Sequence, residues 1–139
     1  MDQLTEFQVW SMFGPMSIAF ALRSIGTILL VWLALRIATN IRESGENNIV
    51  AKILGTAFGG ITVAFAYYWQ TAYISYRANI ANGLVDMQSN GVEISAGATQ
   101  FVTNFASGTM VTTPAPIIIA FDLIVLAMIL GSIWMPKKS

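Results

Sequence analysis

The sequence predicts an all-α integral membrane protein with three transmembrane helices plus short interfacial amphipathic helices. Three observations predict it. Hydrophobic residues make up 55% of the 139 residues and charged residues 10%, whereas a soluble domain carries about 25% charged residues. Three stretches are apolar for about twenty residues, enough to cross a hydrocarbon core of about 30 Å at about 1.5 Å per residue. Basic residues gather at the ends and short connections of those stretches, as they do in membrane proteins of defined orientation. At this length the chain forms a single membrane domain, 1–139.

Residues 1–14 form a lead. Leu4, Phe7, Trp10 and Phe13 recur about every third residue, with Asp2, Glu6 and Gln8 elsewhere, which predicts a short helix lying in the membrane interface. The acidic start argues against a secretory signal peptide, so the first apolar segment is expected to stay in the mature chain. Gly14 and Pro15 predict a break, with proline opening the next helix.

Residues 16–38 are the first span, interrupted by Arg23 and closed by Arg36, which can snorkel to the headgroups. Residues 39–49 are the most polar stretch and predict a loop. Residues 50–75 are the second span. It ends in Tyr67, Tyr68, Trp69, Tyr73 and Tyr76, rings of the kind that mark a membrane–water boundary, with room for the helix to project beyond them.

Residues 77–114 are a long, mildly polar connection. Ala98, Phe101, Val102 and Phe105 have helical spacing, which predicts a short amphipathic helix near 94–107 that Gly108 could stop. A re-entrant segment or a weak fourth span is the alternative there. Pro116 opens the third span, 116–135, which Pro136, Lys137 and Lys138 close.

Arg36, Arg42, Lys52, Lys137 and Lys138 flank the first loop and the C-terminus, against Arg77 alone on the other side. The predicted location is therefore the cell membrane (multi-pass), with the first loop and C-terminus cytoplasmic and the N-terminus and residues 77–114 outside.

Two ionisable residues fall inside spans, Arg23 and Asp122. Arg23 is seven residues past Met16 and Asp122 six past Pro116, depths of roughly 10 and 9 Å. Such charges face a partner or water. The pair reads as an intramembrane ion pair between the first and third helices, within one chain or between chains. The competing reading is a proton or ion pathway.

Gly55 and Gly59 form a small-residue pair four apart, extended backwards by Ala51, with Gly60 and Ala64 on an adjacent face. Glycines so spaced let another helix approach closely, whether of the same chain or of another. The ring cluster Tyr67–Tyr76 reads as an interface belt, or else as a stacking surface. In the long connection, Phe101 and Phe105 are expected to bury against membrane or partner.

Several function classes are excluded. Neither histidine nor cysteine occurs, so bis-histidine haem, thiolate chemistry, a histidine-rich metal site and a Ser-His-Asp triad cannot be built from this chain. A net charge of zero gives no basic face for nucleic acid. No phosphate-binding glycine loop or paired-carboxylate site is present. The seven methionines are scattered through apolar segments, where thioethers pack. No catalytic residue, metal or cofactor is expected, and no enzyme activity. The partners expected are the lipid bilayer and other membrane subunits or copies of the chain. Three functions fit: a non-catalytic subunit of a respiratory, photosynthetic or oxidase-type complex; a self-assembling virion, pilus or secretion component; or a small oligomeric transporter or channel using Arg23 and Asp122.

Overall fold

The computed structural model describes residues 5–106 and 113–137. Among the described residues all regular structure is helical, in the order α1 (Glu6–Glu43), α2 (Ile49–Ser89), α3 (Ala96–Phe105) and α4 (Pro116–Trp134). The helices α1, α2 and α4 are each long and apolar enough to cross a membrane.

α1 is one helix of 38 residues, with Pro15 inside it. The predicted break at Gly14–Pro15 does not occur, and the lead and the first span are continuous. Proline normally pushes the preceding residue out of helical geometry by crowding its β-carbon; Gly14 has none. Rings on both sides of Pro15, Phe13 and Phe20, pack on the same Tyr76 of α2, with centroids 6.0 and 5.8 Å away. Pro15 donates no hydrogen bond to the turn before it. α1 also continues through residues expected as loop, to Glu43. The connection shrinks to residues 44–48, where Gly45 takes φ +66° and Asn48 caps α2 by accepting the Ala51 amide at 3.1 Å.

α2 runs 41 residues, well past the predicted end of the second span. It closes at Gly91, whose φ of +81° suits a residue without a β-carbon. There the Gly91 amide donates to the Gln88 carbonyl and the Val92 amide to the Met87 carbonyl, both at 3.0 Å. Residues 77–89, expected in a loop, are therefore helix. α3 lies inside the predicted 94–107 segment. Its ten residues rise about 15 Å, half of a hydrocarbon core, so this stretch forms no fourth span. Gly108, its expected stop, lies outside the described residues, as do Asp2, Leu4 and Lys138. α4 matches the predicted third span, with proline at its start and Met135 as C-cap.

The chain divides into two compact units. The first comprises residues 5–22 and 70–106 with Thr113. Val9, Leu84, Met87 and Ala98 are its buried core, flanked by Trp10, Ile80, Phe101 and Val102. The lead turns Val9 and Trp10 inward; Phe7, expected on the same face, is 79% exposed. The second unit comprises residues 23–69 and 114–137. Its core is Ala34 and Ala38 of α1 with Val125, Ile129 and Ile133 of α4, against which Phe58 and Val63 of α2 pack. Burial within the chain accounts for only 11%, 22% and 22% of the most apolar stretches of α1, α2 and α4.

Candidate functional site

The chemistry of this chain is concentrated where polar or very small side chains interrupt apolar helices. Gly55 and Gly59 are both buried. A β-carbon on Gly55 would stand 2.6 Å from Ile41 Cδ1 and 3.2 Å from Ile133 Cδ1; one on Gly59 would stand 2.5 Å from Ile129 Cγ2. The glycine pair is thus the surface against which α4, and the end of α1, lie on α2. Ala51 is half-buried one turn before it. Gly60 differs: an added β-carbon there meets nothing within 4 Å, and Ala64, one turn on, is exposed. The two small-residue faces of α2 have separate fates, one filled by this chain and one left open by it.

Asp122 is buried, at 6% exposure. It heads the inward stripe of α4, followed by Val125, Ile129 and Ile133 at helical spacing. Arg23 lies 17 residues beyond Glu6 in the unbroken α1, so its depth can no longer be counted from a helix start at Met16. Its guanidinium carbon is 3.8 Å from the centroid of the Trp69 ring, a distance at which the ring face attracts the cation. Both residues belong to the second unit. Two threonine hydroxyls of α1 are turned back on the helix: Thr27 donates to the Arg23 carbonyl and Thr39 to the Leu35 carbonyl, each at 2.9 Å, which satisfies them without water.

The aromatic cluster splits. Tyr67 and Tyr68 are exposed, at 42% and 59%. Trp69 takes Arg23 on its face and meets Phe65 and Tyr68 edge-on. Tyr73 packs on Phe20, and Tyr76 stacks on Phe13 and donates its hydroxyl to the Met12 carbonyl at 3.2 Å. Three of the five rings therefore act in helix packing. Phe101 and Phe105 act inside the chain as well: Phe101 meets Trp10, Phe13 and Phe105, and the Arg77 guanidinium lies 4.1 Å from the Phe105 ring.

Two constellations escape the sequence reading. The first is Glu6, which reads as an isolated carboxylate. It accepts the Ser95 amide at 2.7 Å, the Ser95 hydroxyl, and the Trp10 indole N–H at 2.9 Å. Ser95 is also the N-cap of α3, accepting from the Ala98 amide, so one carboxylate ties the start of α1 to the start of α3. The Ser95 hydroxyl and amide, with the Trp10 indole, hold the Glu6 carboxyl below its ordinary range. The second is Lys52, whose ammonium donates to Asn47 Oδ1 at 3.0 Å and lies 5.6 Å from the Trp134 ring, while Trp134 donates to the Thr56 hydroxyl at 2.9 Å. Spacing along a sequence could not show either, because Glu6 and Ser95 are 89 residues apart and Thr56 and Trp134 are 78 apart. Among the described residues no group of three or more carboxylates gathers as a metal site would require.

No protein family, curated protein or solved structure matches this chain.

Proposed function

We propose that the protein is a non-catalytic integral membrane subunit that assembles with, and stabilises, a larger membrane protein complex. The observation that carries this reading is the contrast between the two faces of α2. The Gly55–Gly59 face receives α4 of the same chain, while on the adjacent Gly60–Ala64 face no described residue comes within 4 Å of a β-carbon added at Gly60, and Ala64 is exposed. Large apolar side chains such as Ile61, Phe65, Ile124 and Met128 are also exposed, which suits contact with lipid and with neighbouring spans. In this reading α1, α2 and α4 cross the cell membrane with the first loop and C-terminus cytoplasmic and the N-terminus and residues 77–114 outside, as the basic residues favour. Arg23 and Asp122 act as an internal lock between α1 and α4 rather than as a pathway, since α4 offers no second charged residue along its length.

Gly60→Ile tests it. Open space surrounds Gly60, so the variant keeps the thermal unfolding of the isolated chain. Extracted in mild detergent, it should migrate without the other polypeptides that accompany the native chain. An unchanged complex contradicts the proposal. A particle made only of copies of this chain replaces it with self-assembly, and ion flux in liposomes that Asp122→Asn abolishes replaces it with a channel. Asp122→Leu leaves Arg23 without the proposed lock and should lower the yield of assembled protein; a normal yield removes the lock.

A further inference from the structure

One end of the second unit carries Arg42, Lys52 and Lys137. Ile41 of α1 and Ile133 of α4 both reach Gly55 of α2, and Trp134 bonds Thr56 one residue on. Arg42 follows Ile41, Lys52 precedes Gly55 by three residues, and Lys137 follows Ile133 by four. Because α1 and α4 run toward this end and α2 starts from it, all three cations lie beyond the same contact, on the same side of it. Arg36 lies six residues below Arg42 on α1 with its guanidinium 5.4 Å from Trp32.

Lys52 is held by an amide oxygen and an indole ring, and among the described residues no carboxylate stands within ion-pairing reach of Arg42, Lys52 or Lys137. Glu43 and Glu46, the two carboxylates of this end, are exposed. Trp134, 48% exposed, has the amphipathic character that places an indole at headgroup level. Ile53 and Leu54, which follow Lys52 on α2, are exposed apolar side chains.

We propose that Arg42, Lys52 and Lys137, walled by Trp134, bind the headgroup of an anionic phospholipid. A phosphodiester can accept from the Lys52 ammonium and from Arg42 or Lys137 at once, while the acyl chains follow the exposed apolar face of α2. A zwitterionic headgroup brings its own cation and is repelled by the same cluster. This inference rests on the chain lying in a bilayer and is independent of its being a subunit.

The full chain is reconstituted in nanodiscs of phosphatidylcholine alone or mixed with phosphatidylglycerol, released, and its retained lipids counted by native mass spectrometry. Phosphatidylglycerol is retained in preference to phosphatidylcholine, and each cation removed lowers that preference about fivefold. Arg42→Gln with Lys137→Gln alters two exposed side chains, so it keeps the fold while losing the preference; Lys52→Arg keeps the charge and the preference. Equal retention of the two lipids by the native chain overturns the proposal, as does full preference in the triple variant R42Q/K52Q/K137Q. Displacement of the lipid by inorganic phosphate alone also overturns it, because the site would then be one for free anions.

Discussion

In residues 5–22 and 70–106 the helices are joined by rings, hydroxyls and one carboxylate: Glu6 on Ser95 and Trp10, Tyr76 on Met12, Phe13 on Phe101. In residues 23–69 and 114–137 they are joined by alanine and glycine against isoleucine: Ala34, Ala38, Gly55 and Gly59 against Val125, Ile129 and Ile133. The same two long helices serve both units, yet the chemistry changes along them. Small-residue packing works through close van der Waals approach and needs no water to drive it, which suits a lipid surround. A three-donor carboxylate works where its charge can also be solvated, and Glu6 is only half-buried.

Gly59→Ile breaks the comparison most severely. Ile129 already occupies the space a β-carbon would take, so the substitution overpacks the α2–α4 contact by about 1–3 kcal/mol or more. Thermal unfolding in detergent should fall sharply for this variant and hold for Gly60→Ile; equal effects at both glycines would erase the distinction between the two faces. In the other unit, Ser95→Ala removes the α3 N-cap and one Glu6 contact together, a loss of about 1 kcal/mol for the cap. Amide exchange of α3 should quicken while that of α4 is unchanged. Trp134→Phe deletes the Thr56 hydrogen bond and should cost about 0.5–1.5 kcal/mol of the second unit's stability. An unshifted unfolding temperature would count against that bond.

The smallest effect is pH-dependent. Because Ser95 and Trp10 lower the folded-state pKa of Glu6, its contribution is present above the ordinary glutamate range and is lost as pH falls through the lowered value. Trp10 fluorescence should therefore hold from neutral pH through mild acid and change only below the ordinary range. Glu6→Gln should show the altered fluorescence at neutral pH. A native transition at mildly acidic pH would contradict the assigned hydrogen bonds.

α4 and α3 were legible because hydrophobicity and helix end signals coincide there: Pro116 starts one, and Ser95 and the Phe101–Phe105 spacing mark the other. The apolar run of α2 ends well before the helix does. Residues 77–89 are polar overall, yet Ile80, Leu84 and Met87 keep helical spacing and Gly91 supplies the stop. Gly14 and Pro15 carry the signal of a break and a new helix start, yet α1 runs through them because Gly14 has no β-carbon for the proline ring to crowd. Of the candidate site, the glycine pair was legible as a close-packing motif, but which helix it receives depends on Ile129 and Ile133, some seventy residues away. The Glu6–Ser95 tie left no local pattern at all.

The absence of cysteine permits the most direct test of the central claim, that three helices cross a bilayer while the end of α2 stands outside it. Single substitutions Ser44→Cys, Ile61→Cys, Ser89→Cys and Met128→Cys are probed in sealed vesicles with a membrane-impermeant maleimide. The account predicts labelling at 44 and 89 from opposite sides of the membrane, and none at 61 or 128 until the bilayer is dissolved. Labelling of 61 and 128 in intact vesicles, or of 44 and 89 from the same side, would contradict it.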